Sequence, residues 1–167
     1  MARFMQTFET PTALSGTAPV SAGAANGLIA SLQASSTCGY KLRRLTLGVR
    51  AGASVPTSQQ LTIAFARSTV RGTQGANNAG NKMDPNTAAS QITGLDTGHT
   101  TVAPTATYTA PYFYEVSFNS QSGVDLPFEL LEEWVVAAGT GNGLVCWNVG
   151  NALPASHLYT CSFEWEE

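Results

Sequence analysis

The sequence predicts an all-β protein, an antiparallel β-sandwich or jelly roll, on three observations. Stretches of alternating apolar and polar residues recur at short intervals, and aromatic and β-branched residues concentrate in them, while Gly, Pro, Asn and Ser fill the gaps. No segment reads as a helix long enough to cover a parallel sheet, which an α/β fold requires. At 167 residues the chain has the length of one domain with a substantial core. The expected division is an extended N-terminal arm over residues 1–37 and one sandwich domain over residues 38–167, with a long Gly/Asn/Thr-rich loop excursion at 71–110.

The arm opens on RFMQTF and continues through Thr, Ser, Pro, Ala and Gly, with one apolar patch, Leu28 to Leu32, that suits a short strand. In YKLRRLTLGVRA, residues 40–51, Leu45, Leu47 and Val49 share one face and Arg44, Thr46 and Arg50 the other, with Arg43 out of phase. This is a strand with a cationic outer side. A turn around Pro56 leads to QQLTIAFARS, where Leu61, Ile63 and Phe65 alternate with Thr62, Ala64 and Ala66, and the two runs are expected to pair antiparallel. Residues 71–110 hold five Gly and four Asn, the composition of a loop. Within them Asp84-Pro85 combines an N-cap with a first-turn proline and opens one short turn.

Strands resume at PYFYEVSFNSQ, with Tyr112, Tyr114, Val116 and Phe118 opposite Phe113, Glu115 and Ser117. LPFELLEEWVVAAG fits two readings. Pro127 at a first turn and Gly139 at the end suit a helix; the β-favouring Trp-Val-Val and the strand neighbours favour a loop, Val124 to Leu131, and then a strand, Glu132 to Ala137. GTGNG then turns the chain into LVCWNVG, residues 151–156 turn it back, and HLYTCSFEWEE closes the fold with Tyr159, Cys161, Phe163 and Trp165 on the core face.

Charged residues make up only 11% of the chain, so small neutral polar groups must cover most of its surface. No segment resembles a signal peptide and the longest apolar run, WVVAA, is far short of a membrane span; synthesis in the cytosol and no membrane partner are expected. Cys38, Cys146 and Cys161, an odd count without a CxxC, read as free thiols. The charges are segregated. Between Thr10 and Met83 lie seven basic residues and no acid, and from Asp84 onward there are ten acids and no Lys or Arg. Either strands from the two halves pair so that the charges meet within one subunit, or one subunit's basic edge faces its neighbour's acidic edge.

Catalytic patterns are poor, and the chain is not expected to be an enzyme. There is no GxSxG, HExxH or P-loop, and GTGNG lacks the following Lys-Ser/Thr. His157 and Cys161 share a strand face about 13 Å apart, beyond shared coordination of one ion. His99 reads as a loop residue. Glu132-Glu133 and Glu166-Glu167 are adjacent strand residues that point to opposite faces and do not converge on one bond. Asp84, Asp96 and Asp125 lack calcium-loop spacing. No cofactor or metal is expected. Arg44, Arg50 and Arg67 could form a basic stripe, but without interleaved aromatics and with a pI near 5.3 a nucleic-acid partner is not expected.

The succession KLRRLTLGVRAG, QQLTIAFAR, MDPNTAAS, EEWVVAAGTGNGLV and NVGNALPASHLYTCSFEWEE, from about Tyr40 to the C-terminus, resembles a set of small tailed-bacteriophage virion proteins. The resemblance implies a β-sandwich head decoration, or cement, protein that binds the major capsid protein on the outside of the capsid, with a homotrimer favoured and the virion as its location. The expected contacts come from three places: Arg3, Phe4 and Phe8 of the arm; Lys41, Arg43, Arg44, Arg50, Arg67 and Arg71 of the basic half; and Glu164, Trp165, Glu166 and Glu167 at the tip. The alternative is a receptor- or glycan-binding module of a tail appendage, with Tyr108, Tyr112 or His99 of the long loop forming its site.

Overall fold

The computed structural model describes residues 1–9, 28–51, 57–69, 76–92, 94–97, 112–150 and 157–167. They form twelve strands: β1 (Arg3–Glu9), β2 (Leu28–Gln33), β3 (Tyr40–Arg50), β4 (Gln60–Ser68), β5 (Ala76–Asn78), β6 (Asn81–Lys82), β7 (Gly94–Thr97), β8 (Tyr114–Asn119), β9 (Val124–Pro127), β10 (Trp134–Val136), β11 (Gly143–Asn148) and β12 (Leu158–Glu166). No helix occurs among the described residues. The strands make two antiparallel sheets, one ordered β10-β3-β12-β1-β6 with β9 also on β3, the other β5-β7-β2-β11-β4-β8. The molecule is an all-β sandwich.

One apolar core lies between the sheets. Phe4, Leu42, Leu45, Leu47, Tyr159, Cys161, Phe163 and Trp165 of the first sheet and Ile29, Leu32, Leu61, Ile63, Phe65, Leu144 and Cys146 of the second join one buried cluster. The alternation read in the sequence is what delivers these side chains to one face of each strand. Tyr40 ties the sheets together by donating its hydroxyl to the Leu32 carbonyl at 2.6 Å.

Four expectations are corrected. Residues 3–9 are no arm: β1 pairs in full with β12, from Arg3 opposite Glu166 to Glu9 opposite Thr160, and buries Phe4 and Phe8, which stack near Trp165 and Phe163. Strand β2 lies inside the second sheet between β7 and β11, and residues 10–27 lie outside the described residues. Strands β3 and β4 do not pair, because β3 has β12 along one edge and β9 and β10 along the other, so β4 joins the opposite sheet. The 71–110 excursion contains β5, β6 and β7, which bind the sheets where described; Asp84 does open a turn, accepting the Asn86 N–H at 2.9 Å. Finally, the helix is not found and the loop-then-strand reading holds in part: β10 (Trp134–Val136) lies within the expected strand and 128–133 is loop and turn, but 124–127 is the strand β9, held by its pairing with β3.

The terminal strand is central. Strand β12 is hydrogen-bonded on both edges, to β3 and β1, and Trp165 is fully buried. Its ring lies so close to Gly80 that an added Cβ would come within 2.3 Å of it, so only glycine fits there.

Candidate interaction surface

A break in register places the first element of the site. Between Glu164 and Trp165 the β3–β12 pairing skips Arg43, a β-bulge that turns the Arg43 side chain away from the alternation of its neighbours. Arg43 thereby reaches Glu166, to which its Nε donates at 2.6 Å, and also pairs with Glu133 beyond β9. All three side chains are nearly buried, at 12%, 7% and 3% exposure. Beside it in sequence, Arg44 points outward and holds Asp125 through two hydrogen bonds, at 2.9 and 2.6 Å, with both side chains about half exposed.

Glu133 in turn shapes the loop before it. Its second oxygen accepts the Leu131 N–H at 2.9 Å, and the Glu132 N–H donates to the Glu129 carbonyl at 3.0 Å, closing a tight turn over Glu129-Leu130-Leu131-Glu132. Leu131 sits at the third position of this turn with φ +76°, where the turn geometry favours glycine. A leucine in the left-handed region is strained by about 1–2 kcal/mol, and the buried Arg43 network overrides that strain. Burial pushes the Glu133 carboxyl up, yet its own backbone N–H, the Arg43 charge and the Leu131 N–H outweigh it and hold the group below the usual carboxylate range. The consequence is an apolar knuckle: Leu130 and Leu131 are 75% and 90% exposed.

Below the knuckle lies an aromatic cluster at the mouth of the sandwich, where the edge strands β10 and β8 meet. Trp134 packs against Phe128, Phe113, Phe65 and Tyr114 with ring centroids 4.7 to 5.2 Å apart. Arg67 caps it, lying 5.3 Å over the Phe113 ring and donating to the Val135 carbonyl at 2.6 Å. That bond occupies a free acceptor of the edge strand, one way in which sheet edges avoid indiscriminate pairing. Val135, Phe113 and Tyr114 remain exposed beside the cluster. Contiguous apolar exposure of this kind marks contact sites on soluble proteins.

The residues expected from the sequence to make contacts are distributed differently. Phe4, Phe8 and Trp165 are core residues and Glu166 is buried against Arg43, so none of the four is a surface contact; the long-range pairing of β1 with β12 puts them inside. Arg67 faces the mouth and does not extend a stripe with Arg44 and Arg50. Arg50 pairs with Glu9 at 2.6 Å, Arg3 lies 3.5 Å from Glu164, and Lys41 is opposite Val135 and Glu166 in the sheet. Among the described residues Glu167 meets no basic side chain; it accepts from Gln91 N–H at 2.7 Å and Trp165 Nε1 at 3.0 Å. Arg71, His99 and Tyr108 lie outside the described residues, and Tyr112 is half-buried against the second sheet. The segregated charges of the two halves therefore meet within one subunit wherever Arg43 and Arg44 are concerned.

The chemistry of the remaining groups is muted. Burial pushes the Cys146 and Cys161 thiols far above their ordinary range, so neither is a thiolate at neutral pH. His157 is buried at the start of β12, Asp96 is buried and bonded by Asn77, and among the described residues no three His, Cys, Asp or Glu side chains converge as metal ligands would. The Leu130–Leu131 knuckle is not legible from the sequence, because a loop reading does not say whether its leucines face the core or solvent; contacts of Glu133 decide that. The nearest signal is two leucines bracketed by acids, ELLEE, between two strands. No protein-family model, curated protein or solved structure matches the chain.

Proposed function

We propose that this chain is a structural protein of a tailed-bacteriophage virion, a decoration or cement subunit that binds the capsid surface and stabilises it through protein–protein contacts with the major capsid protein. It works by being bound, without turnover. The observation that carries the reading is the knuckle: a leucine held 90% exposed in a backbone conformation that favours glycine, on a base of buried ion pairs. An exposed apolar residue held at a cost in strain is a candidate contact residue, because nothing within the subunit is gained by exposing it. The low charge content and the resemblance of the segment from Tyr40 onward to small virion proteins point the same way. Incubating the purified chain with heads of the encoding phage that lack it, followed by sedimentation, should give saturable binding and a higher capsid melting temperature. Heads that neither bind the chain nor gain stability would contradict the proposal.

A further inference from the structure

Strand β8 ends the second sheet, and its outer edge is open. It pairs with β4 alone, in unbroken register from Tyr114 opposite Phe65 to Asn119 opposite Gln60. The next pair fixes which backbone groups bond inward, because Ser120 donates its N–H to the Gln59 carbonyl at 2.9 Å. By antiparallel alternation Tyr114, Val116 and Phe118 then bond toward β4, while Glu115, Ser117 and Asn119 turn their N–H and C=O groups outward. All three of the latter are exposed, and among the described residues only the Asn119 carbonyl of that outward row is taken, by the Ser122 and Gly123 N–H groups of the following turn.

The other sheet ends are shorter or blocked. Strands β5, β6 and β10 have two or three residues and β9 has four, and Arg67 occupies the Val135 carbonyl of β10. Strand β8 has six residues and none of the usual protections of an edge, for it holds no Lys, no Pro and no bulge. Its side chains define what fits beside it. Tyr114, Val116 and Phe118 stand on the core side, and of these Tyr114 is 36% exposed and Val116 is half-buried, so an apolar flank is left partly uncovered. On the outer side Glu115 joins no ion pair among the described residues. A second copy does not supply the complementary charge: β8 carries no base, and β3 and β4, the long basic strands, are paired along both edges.

We propose that β8 binds an extended segment of another protein by strand addition, a segment with apolar side chains at alternate positions and a Lys or Arg between them to meet Glu115. The added backbone bonds the outward N–H and C=O groups of Glu115 and Ser117 and the N–H of Asn119, which gives affinity without regard to sequence. Its apolar side chains continue the core face beside Tyr114 and Val116, and its base sits across from Glu115, which gives selectivity. The inference stands on β8 alone and does not depend on the knuckle or on the capsid reading.

The test uses the full chain and two labelled synthetic peptides of alternating valine and threonine, one with a central lysine and one with glutamate in its place. Fluorescence polarisation should show saturable binding of the lysine peptide, roughly fivefold tighter than the glutamate peptide. Hydrogen exchange should show the Glu115, Ser117 and Asn119 amides unprotected in the free chain and slowed when the lysine peptide is bound. Ser117→Pro removes an outward N–H that no ladder bond uses, a change edge strands tolerate, and should abolish binding. Glu115→Lys, a surface change that leaves the fold intact, should invert the preference between the peptides and keeps the test decisive if the proline variant does not fold. No saturable binding of the lysine peptide, binding that leaves these amides unprotected, or a preference unmoved by Glu115→Lys overturns the inference. Protection of the same amides that rises with protein concentration in the absence of peptide would assign the edge to a second copy and overturn it as well.

Discussion

In the sheet built on β3 and β12, buried residues alternate with partly or fully exposed ones, and that outer set carries ion pairs and hydroxyls. In the sheet built on β11, every residue from Gly143 to Asn148 is buried, and the outer-phase neighbours Ser31, Ala64, Ala66 and Ser68 are buried with them. Val145, Ala66 and Trp147 even form a small apolar cluster of their own on that outer side. The first sheet thus has a wet face along its length, whereas the second is dry on both faces only at its centre, around β11, and exposes its edge strand β8. Exposed chemistry therefore lies on the outer face of the first sheet and at the sheet edges, where the knuckle and the Phe113–Tyr114 pair sit.

That contrast can be broken most forcefully with a charge. Val145→Asp should cost on the order of 4–5 kcal/mol, enough to unfold a marginally stable domain at neutral pH, whereas Thr160→Asp on the wet face should stay within about 0.5 kcal/mol. Denaturant titration of the two variants side by side checks both. A milder test is steric: Gly80→Ala, which drives a methyl into the Trp165 ring, should cost about 1–3 kcal/mol by the same assay.

The adjacent arginines give the next comparison. Arg43→Ala leaves Glu133 and Glu166 buried without their cation and should lower the melting temperature clearly, whereas Arg44→Ala, which frees a half-exposed Asp125, should have little effect. The acid limb follows with a definite sign. Because the folded Glu133 carboxyl lies below its ordinary 4.5, its contribution is complete above that value and is lost as the pH falls through the depressed folded one. Glu133→Gln should therefore flatten the dependence of melting temperature on pH below about pH 5, in a scan against the wild type. The smallest effect is a gain: Leu131→Gly relieves the left-handed strain and should stabilise the chain by up to about 1 kcal/mol.

What the sequence made legible follows from the same contrast. Strands β3, β4, β8 and β12 were readable because each has one core face, which writes a period of two into the residues. Even the odd position of Arg43 was visible as a break in phase, and the bulge is its cause. Strand β1 was not readable, although RFMQTFE alternates, because its partner lies at the far end of the chain and such pairing has no local signature. The short strands β5, β6 and β7 were hidden in a loop-like composition for a related reason: register on an existing sheet edge, and not propensity, makes them strands. The knuckle escaped because exposure of a leucine is a tertiary fact. Only Glu133, bound to Arg43 and to the Leu131 N–H, turns the pair outward.

The account stands or falls on whether the chain is built into capsids. Quantitative mass spectrometry of purified virions, with the major capsid protein as internal reference, measures this directly. The account predicts copies comparable in number to the capsid subunits. A handful of copies per particle, as befits a tail part, or none at all, would contradict it.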